Sequence, residues 1–169
     1  MNSYLQRMQD AIADATRGMD DGQLARRREG KWSVAEILEH LDITYKTTVP
    51  HLQKCLDNGK PTEGRPSFAQ RLAVGIVVQL GYMPSGRKSP EFALPKGRPA
   101  EEVLRNITMH IAEMDKVLAE CERRFGARRK LANHFILGPL NAHQWRKFHW
   151  VHTRHHLKQI ARLRKFDTA

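Results

Sequence analysis

The 169-residue chain has little of what would make it disulfide-stapled, exported or membrane-spanning. Its only cysteines are Cys55 and Cys121, which fall in helix-patterned segments and form no C-x-x-C pair. No apolar run approaches the length of a membrane span: the longest, Leu72 to Leu80, is short and contains Gln79. The N-terminal Met1-Asn-Ser-Tyr-Leu-Gln-Arg-Met lacks the basic and apolar regions of a signal peptide, so the thiols are expected to stay reduced in a cytoplasmic protein. No stretch alternates convincingly as a β-strand, and there is no internal repeat. Carboxylates are scarce beside cations, 18 against 29, which leaves a net charge of +11.

That charge attracts polyanions, and binding to nucleic acid or an acidic membrane is one reading of it. The cations are dispersed, however, in clusters such as Arg26 to Arg28, Arg128 to Lys130 and Arg162 to Lys165. No groove-reading motif or aromatic platform accompanies them. A basic helical binding protein without catalytic activity is therefore the alternative reading, and nucleic acid is not the expected partner.

What is present is helical periodicity. Ser3 and Gln6 have capping-box spacing ahead of Leu5, Met8, Ile12, Ala15 and Met19. Ser33 and Glu36 repeat that spacing after Trp32 and open a helix to about Asp57, stopped by Asn58-Gly59-Lys60-Pro61. Pro99, Glu101 and Glu102 suit the start of a third helix, which ends at Gly126. Asn141 and Gln144 open a last helix that runs to about Phe166. Between the second and third lies a proline- and glycine-punctuated segment, 61–98, around one shorter apolar helix from about Ser67 to Leu80. These patterns predict one all-α domain over 1–169: a four-helix bundle with a helical insertion between its second and third members.

The chemistry concentrates in the last helix. At 100° per residue, Trp145, Phe148, His152, His156, Gln159 and Ile160 share one side, while Lys147, Arg154, Lys158, Arg162 and Lys165 share the other. His155 falls on the flank. His152 and His156, at i and i+4, aim two imidazoles at one place on the buried face. A lone core histidine is ordinarily satisfied by a neighbouring helix, but one ion can satisfy a pair. A third ligand has to come from elsewhere. His40 on the second helix is the best candidate and His110 a weaker one. His51 lies too far along the second helix to share a level with His40, and His134 and His143 are placed to line a cavity mouth. Glu36 has a capping role, Glu39 and Asp42 are expected to face solvent, and Gln159 could orient a ligand or bound water.

Trp32-Ser-Val-Ala-Glu-Ile-Leu-Glu-His40-Leu41, followed by His152-x-x-x-His156-x-x-Gln159-Ile160, resembles the DinB/YfiT-like superfamily of metal-dependent hydrolases. His134-Phe135-x-x-Gly138-Pro139-Leu140 is similar to an H-P-x-F-G-x-L loop of one of its branches, with Phe135 in place of the usual proline. The resemblance implies a related bundle with a three-histidine site for zinc, nickel or iron, whose ligands here are His40, His152 and His156. It also implies a metal-dependent hydrolase or a thiol-dependent transferase, with a small-molecule substrate or low-molecular-weight thiol at the open metal position. A homodimer is expected, because the apolar helix around Leu72 to Leu80 has more hydrophobic surface than a covering insertion needs.

Overall fold

A computed structural model describes residues 1–61, 64–84, 86 and 88–167, with backbone only for 166 and 167. Six positions of the expected domain, among them Thr62, Glu63, Ser85 and Arg87 of the 61–98 segment, lie outside the described residues. The fold is all-α, a helical bundle with one two-stranded hairpin among the described residues. Four long helices make the bundle: α1 (Ser3–Thr16), α3 (Val34–Asp57), α5 (Ala100–Phe125) and α6 (Ala142–Asp167). A short α2 (Asp21–Ala25) precedes α3, and α4 (Phe68–Val74) lies between α3 and α5.

The helix ends follow local chemistry. Ser33 and Glu36 exchange side chain and backbone bonds at the start of α3, as do Asn141 and Gln144 before α6. The Ser3–Gln6 box does not form: the neighbouring Asn2 caps α1 by accepting from the Tyr4 N–H, and Gln6 turns to Asp10. The stretch read as a connector from Asp20 contains α2, whose own box joins Asp20 and Gln23. Pro50 lies inside α3 without ending it.

α3 packs most extensively on α5, and α1 on α6. Their apolar stripes meet in one core around Leu5, Leu38, Leu41, Tyr45, Ile111 and Leu118, each with no exposed surface. Fully burying one such leucine or isoleucine side chain contributes about 1.5–3 kcal/mol. The segment between α3 and α5 holds α4, a π-helical turn (Gly75–Gln79) that buries Val77 and Val78, and a 3-10 turn (Glu91–Ala93). It reaches both α6 and α3.

One expectation is overturned outright, that of a chain without strands. β1 (Ala132–His134) and β2 (Gly138–Leu140) pair antiparallel just before α6. Three residues per strand are too few for alternation to show in sequence. Among the described residues no helix is long and apolar enough to cross a membrane.

Candidate metal centre

Among the described residues, three side-chain bridges join α3 to α6. Tyr45 donates to Thr153 Oγ1 at 2.7 Å, because the Thr153 hydroxyl is itself committed to the His149 carbonyl. Thr48 donates to the Thr44 carbonyl, so its oxygen accepts from His149 Nε2–H at 3.0 Å. The third bridge joins imidazoles: His40 Nε2 lies 3.2 Å from His152 Nε2, and His156 Nε2 lies 3.1 Å from the same atom. His40, His152 and His156 thus offer one nitrogen each, all within 4.8 Å of one another.

Two of these rings have fixed tautomers. His40 Nδ1–H donates to the Ala93 carbonyl at 2.7 Å, and His156 Nδ1–H to Gln159 Oε1 at 2.9 Å. Each therefore presents a lone pair at Nε2. If His152 carries its proton on Nε2, it can serve one lone pair well and leaves the other facing a spent donor. If it carries it on Nδ1, three lone pairs converge, and a donor is left buried without a partner. In either state Nδ1 of His152 is sealed and unpartnered. A cation at the convergence point removes the conflict. The spacing suits one, since nitrogens bound tetrahedrally at zinc-like distances are about 3.3 Å apart.

The surroundings keep these rings basic in form but uncharged. Burial lowers the pKa of His40 and takes that of His156 down to about 3, and His152 falls well below its usual range by burial and the neighbouring imidazoles. Neutral imidazole is the state in which nitrogen can ligate.

Other predicted residues scatter. His110 leaves the triad and donates from Nδ1 to Asp42 at 2.7 Å. Glu39 and Asp42, expected in solvent, are buried, and the correction has a clear cause. Arg98 bonds both carboxylates, at 3.0 and 2.7 Å, and the Gly97 and Arg98 N–H groups also donate to Glu39. Paired charges tolerate burial that single ones do not. Glu36 keeps its capping role and also pairs with Arg27. His143 is exposed beside Tyr4 and does not reach the triad's chamber, whereas His51 and His134 line it. His155 is no member of the triad, yet it accepts from Gln159 Nε2 at 3.2 Å and so steadies the amide that holds His156. His149 and its Thr48 partner were not singled out by periodicity; its place at i−3 from His152 was the available signal.

The three imidazoles open into a chamber between α3, α6 and the segment joining α3 to α5. Trp32, Phe92, Phe135 and Phe148 supply apolar walls, and Thr44, Thr47 and Thr48 supply hydroxyls. Among the described residues, Arg28, Lys31, Lys88, Arg154, Lys158 and Arg162 line it against a single carboxylate, Glu29, which makes the approach strongly positive.

Bundle topology and a tri-imidazole cluster between facing helices define the class: a helical protein with a group able to hold a metal ion. A family model described as the DinB superfamily matches residues 4–160, and the chain belongs to that superfamily. No curated protein and no solved structure matches it.

Proposed function

We propose that His40, His152 and His156 are the ligands of one divalent metal ion, zinc, nickel or iron, with its remaining coordination positions facing the chamber. The observation that carries this reading is the convergence of fixed Nε2 lone pairs onto a third imidazole that cannot satisfy both. Bound there, the ion would supply Lewis acidity toward water or a substrate heteroatom. The chain's own residues do the rest. Ala93 and Gln159 hold two ligands in the ligating tautomer. The aromatic walls exclude water, and the basic lining draws an anionic small molecule inward.

On this basis the protein acts as a metal-dependent hydrolase or a thiol-dependent transferase on a small anionic substrate, a low-molecular-weight thiol among the candidates. Metal analysis of the purified protein tests the reading, with about one ion per chain expected. Added zinc or nickel should raise the melting temperature, and a metal-free protein indifferent to both ions would end the proposal. Binding to nucleic acid or acidic membrane predicts salt-sensitive retention on heparin, which the metal reading does not require.

The exposed Phe68, Leu72 and Leu80 support the further reading that two copies associate through the α4 face, which light scattering tests directly. Cys55 and Cys121 are both buried thiols, which fits a reducing cytoplasm and one continuous domain built around them.

A further inference from the structure

The β1–β2 loop converts one imidazole into a fixed hydrogen-bond donor. The backbone N–H groups of Ile136 and Leu137 both donate to His134 Nδ1, at 3.1 and 3.2 Å. A ring nitrogen that accepts carries no proton, so the neutral ring holds its proton on Nε2. Burial keeps the ring neutral, with its pKa pushed down to about 4. Nε2 has no acceptor among the described residues. It is not sealed off either, unlike the buried unpartnered nitrogens of Trp145, His149 and His152. His134 lines the chamber.

The hairpin is built to hold this ring. His134 pairs with Gly138 across the strands, and Gly138 has a φ of +69°. That conformation is what calls for glycine, since a Cβ there would otherwise meet only the movable end of the Gln70 side chain, at 2.6 Å. The imidazole stacks on Phe135 at 4.6 Å and meets Phe148 edge-on at 4.4 Å. Phe148 in turn stacks on His152, which leaves a single phenyl ring between His134 and the tri-imidazole cluster. Phe135 and Phe92 touch edge to face while 61% and 54% exposed, an apolar wall next to an N–H that has no acceptor among the described residues.

We propose that His134 is a ligand-binding residue of the chamber: its Nε2–H donates to a carbonyl or carboxylate oxygen of a small molecule whose flat apolar body lies against Phe135 and Phe92. The ring is held by two backbone bonds and two aromatic contacts, so little ordering remains to be done when a ligand arrives. This role uses the chamber and not the ion, and its test is independent of the metal reading.

The test is a titration of full-length protein, ¹⁵N-labelled at histidine, with benzoate, benzamide and toluene, run with and without added zinc. At pH 7 His134 should be unprotonated at Nδ1 and protonated at Nε2. Its Nε2 signals should move with benzoate and benzamide in both preparations and stay in place with toluene. A larger response to benzoate assigns the oxygen to a carboxylate, and a larger response to benzamide assigns it to a neutral carbonyl.

His134→Asn keeps an acceptor oxygen for the Ile136 and Leu137 amides and removes the distal donor. Its affinity for the oxygen probes should fall about fivefold to tenfold. Silence of the His134 signals toward both oxygen probes, a proton on Nδ1, or undiminished binding by the Asn variant would each overturn the proposal. Should the variant melt early, the wild-type titration decides alone. Failure to bind zinc would leave the result standing.

Discussion

Two polar clusters sit around α3 and differ in one respect. Glu39, Asp42, Arg98 and His110 form a closed set, in which two carboxylates meet one guanidinium, one imidazole N–H and two backbone N–H groups. His40, His152 and His156 form an open set, with more lone pairs than protons at the point where they meet. Both are buried or nearly so, and both join α3 to other elements. A closed cluster accounts for its own burial and reads as architecture. An open one leaves a surplus that a further species would satisfy, and the proposed metal site rests on that surplus.

Removing a member should therefore have opposite signatures in the two clusters. His152→Ala or His156→Ala should weaken metal binding beyond the roughly 100-fold that loss of an outer hydrogen-bond partner costs, with the metal-free melting temperature little changed. Calorimetric titration with zinc checks this, and full affinity in both variants would sink the ligand assignment. Asp42→Ala should do the reverse, costing about 3 kcal/mol of stability in urea unfolding by stranding the His110 N–H and leaving Arg98 with Glu39 as its buried partner. That figure is at the low end for a broken buried pair because Arg98 keeps 27% of its side chain in water. Gln159→Leu stands between them: it leaves the three ligands and frees the His156 tautomer, so affinity should drop about tenfold with stability nearly intact.

The smallest effect per residue near neutrality is on pH dependence in metal-free protein. His149 and His156 are held near 3 and His134 near 4 by burial, whereas all three return to about 6.5 on unfolding. Over that window the unfolded chain binds more protons than the folded one, so stability falls as pH falls and is full above the unfolded pKa. Each imidazole should cost about 0.7 kcal/mol between pH 7 and pH 6, steepening toward 1.4 kcal/mol per unit below. Urea midpoints that stay flat from pH 7 to pH 5 would contradict the burial of these rings.

The open cluster was far more legible in the sequence than the closed one. The i,i+4 spacing of His152 and His156 is local, and the stripe of α6 gives its direction. Glu39 and Asp42 belong to α3 but their counter-charge, Arg98, arrives more than fifty residues later, where no helical period links them. On the pattern of α3 alone two carboxylates read as a wet face. The hairpin that fixes His134 was hidden for a different reason: its governing bonds come from backbone N–H groups, which carry no residue identity. Caps fell between these extremes. The Ser33 and Asn141 boxes formed as spaced, while Ser3 lost to the adjacent Asn2, a competition that spacing cannot resolve.

The Ala93 carbonyl that accepts from His40 carries a consequence for hydrogen exchange. It lies in the same short stretch of chain as Gly97 and Arg98, whose amides are pinned to Glu39. Any opening that lifts this stretch off α3 frees the His40 ring from the tautomer that presents Nε2. An ion held by that ring therefore draws on the local opening equilibrium of residues 93–98. Saturating zinc should slow deuterium uptake at the Gly97 and Arg98 amides, although neither residue touches the three imidazoles.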